Sequence, residues 1–219
     1  MTIDAPLLKA PPPTPAAPER EGKRAHIKAV AVALFAEGGL NAVGTREIMA
    51  AAGYRNTTLV NYYFGSKSGL IDELIDDAVT ALSQHRLAAL AAMKATGEPS
   101  VRSLVELLAT PAPPPALPTD AARSHTRFVA MLMIHHSNSL LPSGLFRKDA
   151  GTASCIRELR RRLPRKKGLN DRINIMLLML VAALVNDEVQ SGSERRGGAL
   201  HVRDKQSVIE AALAILGAE

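Results

Sequence analysis

Residues 45–67, TREIMAAAGYRNTTLVNYYFGSK, constrain this chain more than any other stretch. They read as two short helices joined at a glycine, followed by the start of a long third helix. Thr45 is placed to cap the first short helix, and Ile48, Met49 and Ala52 give it one apolar face. Gly53 permits a tight bend, because a residue without Cβ adopts positive φ freely. Leu59, Val60 and Phe64 give the second short helix a face that packs back on the first. Arg55, Asn56, Thr57, Thr58, Asn61 and Tyr62 are then left for solvent or a partner. Such side chains hydrogen-bond to base edges and to phosphates. A helix-turn-helix with its second helix in a DNA major groove is the leading expectation.

The flanking sequence is helical throughout. Ile27, Val30, Ala31, Leu34 and Phe35 form a one-faced stripe on a first helix spanning 19–37. Arg20, Lys23, Arg24 and Lys28 crowd its start, where cations oppose the helix dipole, so either phosphate contact or a solvated face is expected of them. Ser66 is a plausible cap for a helix to about residue 94, with apolar positions from Leu70 to Leu82. Asp72, Glu73, Asp76 and Asp77 near its start read as a solvated acidic face. Further helices are expected over 101–109, 120–141, 145–163, 170–190 and 203–216. The segment 170–190 is apolar on almost every side, which implies burial on more than one face.

Proline marks what is not helix. Six of the 14 prolines fall in residues 1–18, which read as a disordered tail, and PAPPPALP at 111–118 reads as an extended loop. The fold class expected is all-α, with a tail at 1–18, a helix-turn-helix domain at 19–66 and a helical regulatory and dimerisation body at 67–219.

Composition narrows the function. A net charge of +6 favours an anionic partner without identifying it. The single cysteine, Cys155, permits no internal disulfide and fits a reducing compartment, where it reads as a small buried hydrophobe. The start of the chain lacks the pattern of a secretory signal, and no apolar run reaches the roughly 20 residues that span a bilayer, so a cytoplasmic protein is expected. No phosphate-binding glycine loop, metal-spaced His/Cys/Glu set or Ser-His-Asp arrangement is evident, so neither catalysis, cofactor nor metal is expected.

At this point the pattern resembles the DNA-binding domain of the TetR (tetracycline-repressor type) transcriptional regulators. Ile27, Ala31, Leu34-Phe35, Gly38, Thr45, Ile48, Ala52-Gly53 and Tyr62-Tyr63-Phe64-Gly65-Ser66-Lys67, with Leu70, carry the resemblance. It covers residues 20–75. Three departures stand out: Met49 replaces a small alanine, the segment from Gly53 to Phe64 is one residue longer than usual, and Tyr63 replaces a histidine.

The resemblance implies a homodimer on a palindromic operator, released by a small ligand in the body, with residues 170–190 and 203–216 at the dimer interface; the residues of the body make an apolar effector the expectation. It implies DNA contacts at Thr45, Arg46, Arg55, Asn56, Thr57, Thr58, Asn61, Tyr62, Tyr63 and Lys67. Lys67, at the amino end of a helix, would meet a phosphate. His125, Phe128, Met131, Leu132, His135, Met176 and Met179 are the candidate lining of an effector pocket, against an ordinary methionine-rich core. The basic run Arg157 to Lys167 is either an exposed face or an attraction for an anionic ligand such as a coenzyme A thioester. An architectural DNA-binder that senses nothing, and a small helical enzyme, are the competing classes.

Overall fold

A computed structural model describes residues 17–110, 124–125, 128–129, 149–190 and 204–218. Eight helices are assigned among them: α1 (Ala17–Gly38), α2 (Thr45–Ala51), α3 (Thr58–Phe64), α4 (Lys67–Thr96), α5 (Val101–Leu108), α6 (Ala150–Arg162), α7 (Leu169–Gln190) and α8 (Lys205–Leu216). No strand occurs among the described residues. The all-α expectation is met, with small shifts at the ends. Ala17 and Pro18, assigned to the tail in sequence, belong to the first turn of α1, where proline's missing N–H costs nothing. The rest of the tail, most of 120–141 and the loop at 191–199 lie outside the described residues.

Two apolar cores organise the chain, and α4 is shared by both. The first packs α1, α2 and α3 onto the opening turns of α4. Ile27, Ala31 and Phe35 meet Ile48, Met49, Val60 and Phe64, closed by Leu70 and Leu74. Met49 is fully buried, so the larger side chain is accommodated inside this core. The second core joins Leu90 of α4 to Leu104 and Leu108 of α5, Cys155 and Leu159 of α6, Ile173 and Met176 of α7, and Ile209 and Leu213 of α8. The division between the two cores therefore falls within α4. Cys155 is a fully buried core member, as expected, and burial pushes its thiol pKa up against the opposing influence of Arg86.

Arg86 knits the body together. It lies on α4 between Leu82 and Leu90, on the buried face, and is 4% exposed. Its guanidinium reaches Asp149 at 3.2 Å, the Leu108 carbonyl at 3.0 Å and the Thr152 hydroxyl. One side chain thus ties α4 to the end of α5 and the start of α6. Removing a partner would strand a buried charge, which is why such clusters break at high cost. Farther along α4, Lys94 pairs with Glu158 of α6. Hydrogen bonds from Lys94 and Arg162 outweigh burial and hold the Glu158 pKa down to about 2.

Close approach fixes how α4 leaves the head. Ser66 caps α4 by accepting from the Gly69 amide at 2.9 Å. A Cβ at Gly69 would fall on the Phe64 carbonyl oxygen, so backbone occupies the space a side chain would need. Gly69→Ala is therefore expected to lower stability by about 1–3 kcal/mol through overpacking, although alanine ordinarily favours a helix interior over glycine by about 1 kcal/mol. Thermal unfolding reads this directly; an unchanged or raised Tm would contradict the close approach.

Candidate nucleic-acid interface

The reading unit is α2, the turn at Gly53 and α3. Gly53 has φ +77°, and the Tyr54 amide closes the turn on the Met49 carbonyl at 2.8 Å. Ile48 and Met49 bury one side of α2, and Val60 and Phe64 bury one side of α3. Burial on that side forces the opposite sides outward. Arg46, Arg55, Asn56, Thr57, Thr58, Asn61 and Tyr62 are exposed, and Thr45, Tyr63 and Lys67 are half-buried.

The ten expected contact residues lie along consecutive elements from the start of α2 to the start of α4, but their side chains are not equally free. Asn56 caps α3: its Oδ1 accepts from the Thr58 amide at 2.9 Å and from the Thr58 hydroxyl at 2.6 Å. Thr58 is engaged by the same contact. The cap expected of Thr45 is absent, since Gly44 takes the N-cap position of α2 with no side-chain hydrogen bond. Thr45 is the first residue of that helix. Lys67 donates Nζ to the Leu40 carbonyl at 2.7 Å and stands 5.8 Å from the centre of the Phe35 ring. It braces the corner after α1 in addition to marking the start of α4.

The two tyrosines divide their roles. Tyr62 is 53% exposed, with Arg20 5.4 Å from its ring centre and the Tyr63 ring edge-on at 4.9 Å. Tyr63 packs partly against the head core, and its carbonyl accepts from Arg24 at 3.1 Å. This leaves Arg46, Arg55, Thr57, Asn61 and Tyr62 as the side chains most open to a partner.

The cations at the start of α1 are used inside the protein. Arg24 pairs with Glu73 and lies 5.1 Å from the centre of the Phe64 ring. Lys28 pairs with Glu73 at 3.1 Å and Asp77 at 2.8 Å, and Lys23 pairs with Glu19 at 2.6 Å. Arg24 and Lys28 thus have ion-pair partners within the protein, where phosphate contact or a solvated face was expected. The acidic face expected to be merely solvated supplies their partners. A signal existed: Arg24 sits three residues before Ile27, on the stripe that α1 turns toward α4.

The described apolar members of the effector set are divided between the two cores. Phe128 is buried in the head core and stacks on Phe35, with ring centres 6.1 Å apart. Met176 is buried in the second core, with Met179 beside it. The two methionines and Phe128 thus serve separate cores, which corrects their placement around one pocket. His125 is half-buried, and burial pushes its pKa down. Met131, Leu132 and His135 lie outside the described residues. No group of three or more His, Cys, Asp or Glu side chains that could hold a metal occurs among the described residues, and no helix there is long and apolar enough to cross a membrane.

Comparison with protein families finds a match that contains the segment from α2 to α3. Residues 27–74 match the family model described as bacterial regulatory proteins, tetR family. The HTH-type transcriptional repressor KstR2 of Rhodococcus jostii is 37% identical over 65 residues, 30% of this chain and 31% of that protein. The chain thus aligns with about a third of that relative's length. Two solved structures align across the chain: PfmR, a TetR family transcriptional regulator from Thermus thermophilus, and a TetR-family protein from Mesorhizobium loti. The first has a TM-score of 0.47 at 18% identity, covering 88% of this chain and 97% of that one. The second has 0.46 at 20%, covering 90% and 97%.

Asn56→Ala is expected to cost about 1 kcal/mol of stability by uncapping α3, whereas Asn56→Asp keeps the acceptor oxygen and most of that stability. Urea unfolding of the two variants separates them; equal losses would contradict the capping role.

Proposed function

We propose, from the premise that residues 27–74 belong to the tetR family of bacterial regulatory proteins, that this chain is a dimeric transcriptional regulator that reads duplex DNA with α3. The observation that carries the proposal is the two-sided character of α3. Val60 and Phe64 lock one side into the head core, and the other presents Asn61 and Tyr62, with Thr57 exposed just before the helix. A rigid helix with a polar outer face is the form that enters a major groove. Asn61 suits the paired donor and acceptor of an adenine edge, and Thr57 the methyl of a thymine. Thr45, Arg46 and Arg55 flank these positions at the phosphate rim, with the Tyr62 hydroxyl beside them. Lys67 keeps donors to spare beyond its bond to Leu40 and approaches the same rim.

Dimerisation is supported by α7. Ile173, Met176 and Leu180 face the second core, while Ile175 is 54% exposed and Leu178 41%. Large exposed aliphatics close together on one helix face mark an interaction surface. Ala211 and Ala214 are exposed on α8, which packs against α7. We place the interface on residues 170–190 and 203–216, which would set two heads on adjacent half-sites. The relative from Rhodococcus jostii is a repressor, and we assign repression here, in the cytoplasm, relieved by a small, apolar effector in the body. The route for such a signal is α4, which enters both cores, and Phe128, which stacks on Phe35.

Gel-shift titrations test the reading. Arg46→Ala should weaken binding to every duplex and reduce the salt slope by about 1 per protomer. Asn61→Ala should relax preference at one position of each half-site by about 1–3 kcal/mol. Wild-type behaviour of both variants on selected and random DNA would contradict it.

A further inference from the structure

The basic excess of this protein lies far from the head. Residues 157–167 hold seven cations and one acid, Glu158, so this run alone equals the chain's net charge of +6 and the remainder is balanced. Six of the seven, Arg157, Arg160, Arg161, Arg165, Lys166 and Lys167, line a cleft of about 820 Å³. It is formed by the end of α6, the connection that follows and the start of α7. The lining contains one acid, Asp171.

The acid within the run is already committed. Glu158 is buried and engages Lys94, Arg162 at 2.6 Å and Arg161 at 3.4 Å. Arg160 donates to the neutral Asn170 amide oxygen at 3.1 Å. Among the described residues, the side chains of Arg157, Arg165, Lys166 and Lys167 have neither a hydrogen bond nor an ion pair. Like charges converging in one concavity oppose folding unless an anion joins them.

DNA under α3 does not supply that anion. Lys67 opens α4 beside the head, and Lys94 meets Glu158 near its other end. At 1.5 Å per residue the separation is about 40 Å, several times the screening length of about 8 Å at physiological salt. The concavity has the size of a small-molecule site. Four of its six cations are arginines, whose planar forks pair with phosphate oxygens bidentately.

We propose that this cleft binds a small oligophosphate, two or three linked phosphoryl groups as carried by nucleotides and other phosphoanhydrides. The proposal is independent of the DNA reading. Calorimetric titration of the full chain with sodium tripolyphosphate, at about 150 mM salt, tests it. Saturable binding is expected, with orthophosphate at least about tenfold weaker. Arg165→Gln combined with Lys167→Gln should weaken tripolyphosphate at least about tenfold while leaving the ligand-free Tm unchanged or raised, since it relieves repulsion. The control Arg102→Gln with Lys205→Gln removes the same charge from other surfaces and should not. Absence of saturable heat to about 5 mM, or equal weakening by both double variants, would overturn the proposal. So would tripolyphosphate failing to bind while a short random duplex binds and loses affinity in the Arg165/Lys167 variant. Duplex binding measured on the same preparations reports separately on the head.

Discussion

The Phe35 ring is fully buried, with the Phe128 ring stacked beside it and the Lys67 ammonium 5.8 Å from its centre. Few other positions join so many parts of the molecule. Through Phe35, α1 closes the head core. Through Lys67, which also holds the Leu40 carbonyl, the corner between α1 and α2 is pinned to the start of α4. Through Phe128, the segment beyond α5 reaches back to the head. Aromatic pairs of this kind contribute about 0.5–1.5 kcal/mol beyond the area they bury. Their larger consequence is positional: α3 is held at one angle to α4, and its polar side is presented as a fixed surface.

Charge is distributed differently from what a basic DNA-binding protein suggests. Two of the four cations at the start of α1, Arg24 and Lys28, serve Glu73 and Asp77 of α4, so they fasten the head to the long helix. The outer surface of α2 and α3 is chiefly amide, hydroxyl and phenol, with Arg46 and Arg55 at its margins. Such a surface gains sequence information from hydrogen bonds and relatively little affinity from counterion release. The concentrated positive charge is at the far end of α4, where it has its own cleft.

Most of the head was legible in sequence because its logic is local. The spacing of Ile27, Ala31 and Phe35, the glycine at 53 and the Ser66 cap each act within a turn or two of chain. The exposure of Asn61 and the burial of Val60 follow from the same periodicity. What was missed depends on pairs distant in sequence. Arg24 with Glu73, and Arg86 with Asp149, are separated by 49 and 63 residues, and composition alone cannot choose between partner and solvent. A cation on the apolar stripe was the available sign: Arg86 falls in step with Val79, Leu82 and Leu90. For Phe128 both a pocket and a core were open in sequence, since an aromatic on an apolar helix face fits the two equally well, and the structure takes the core. The capping contact of Asn56 was not foreseen, because the residue types that cap helices are also those that read DNA.

The central claim is that paired copies of α3 occupy successive major grooves of one duplex. Selection of bound sequences from a random duplex library by the full-length protein tests it most directly. The account predicts enrichment of an inverted repeat whose half-sites are centred one helical turn, about 34 Å, or a multiple of it apart. Recovery of no enriched sequence, or of a single unrepeated half-site, would contradict it.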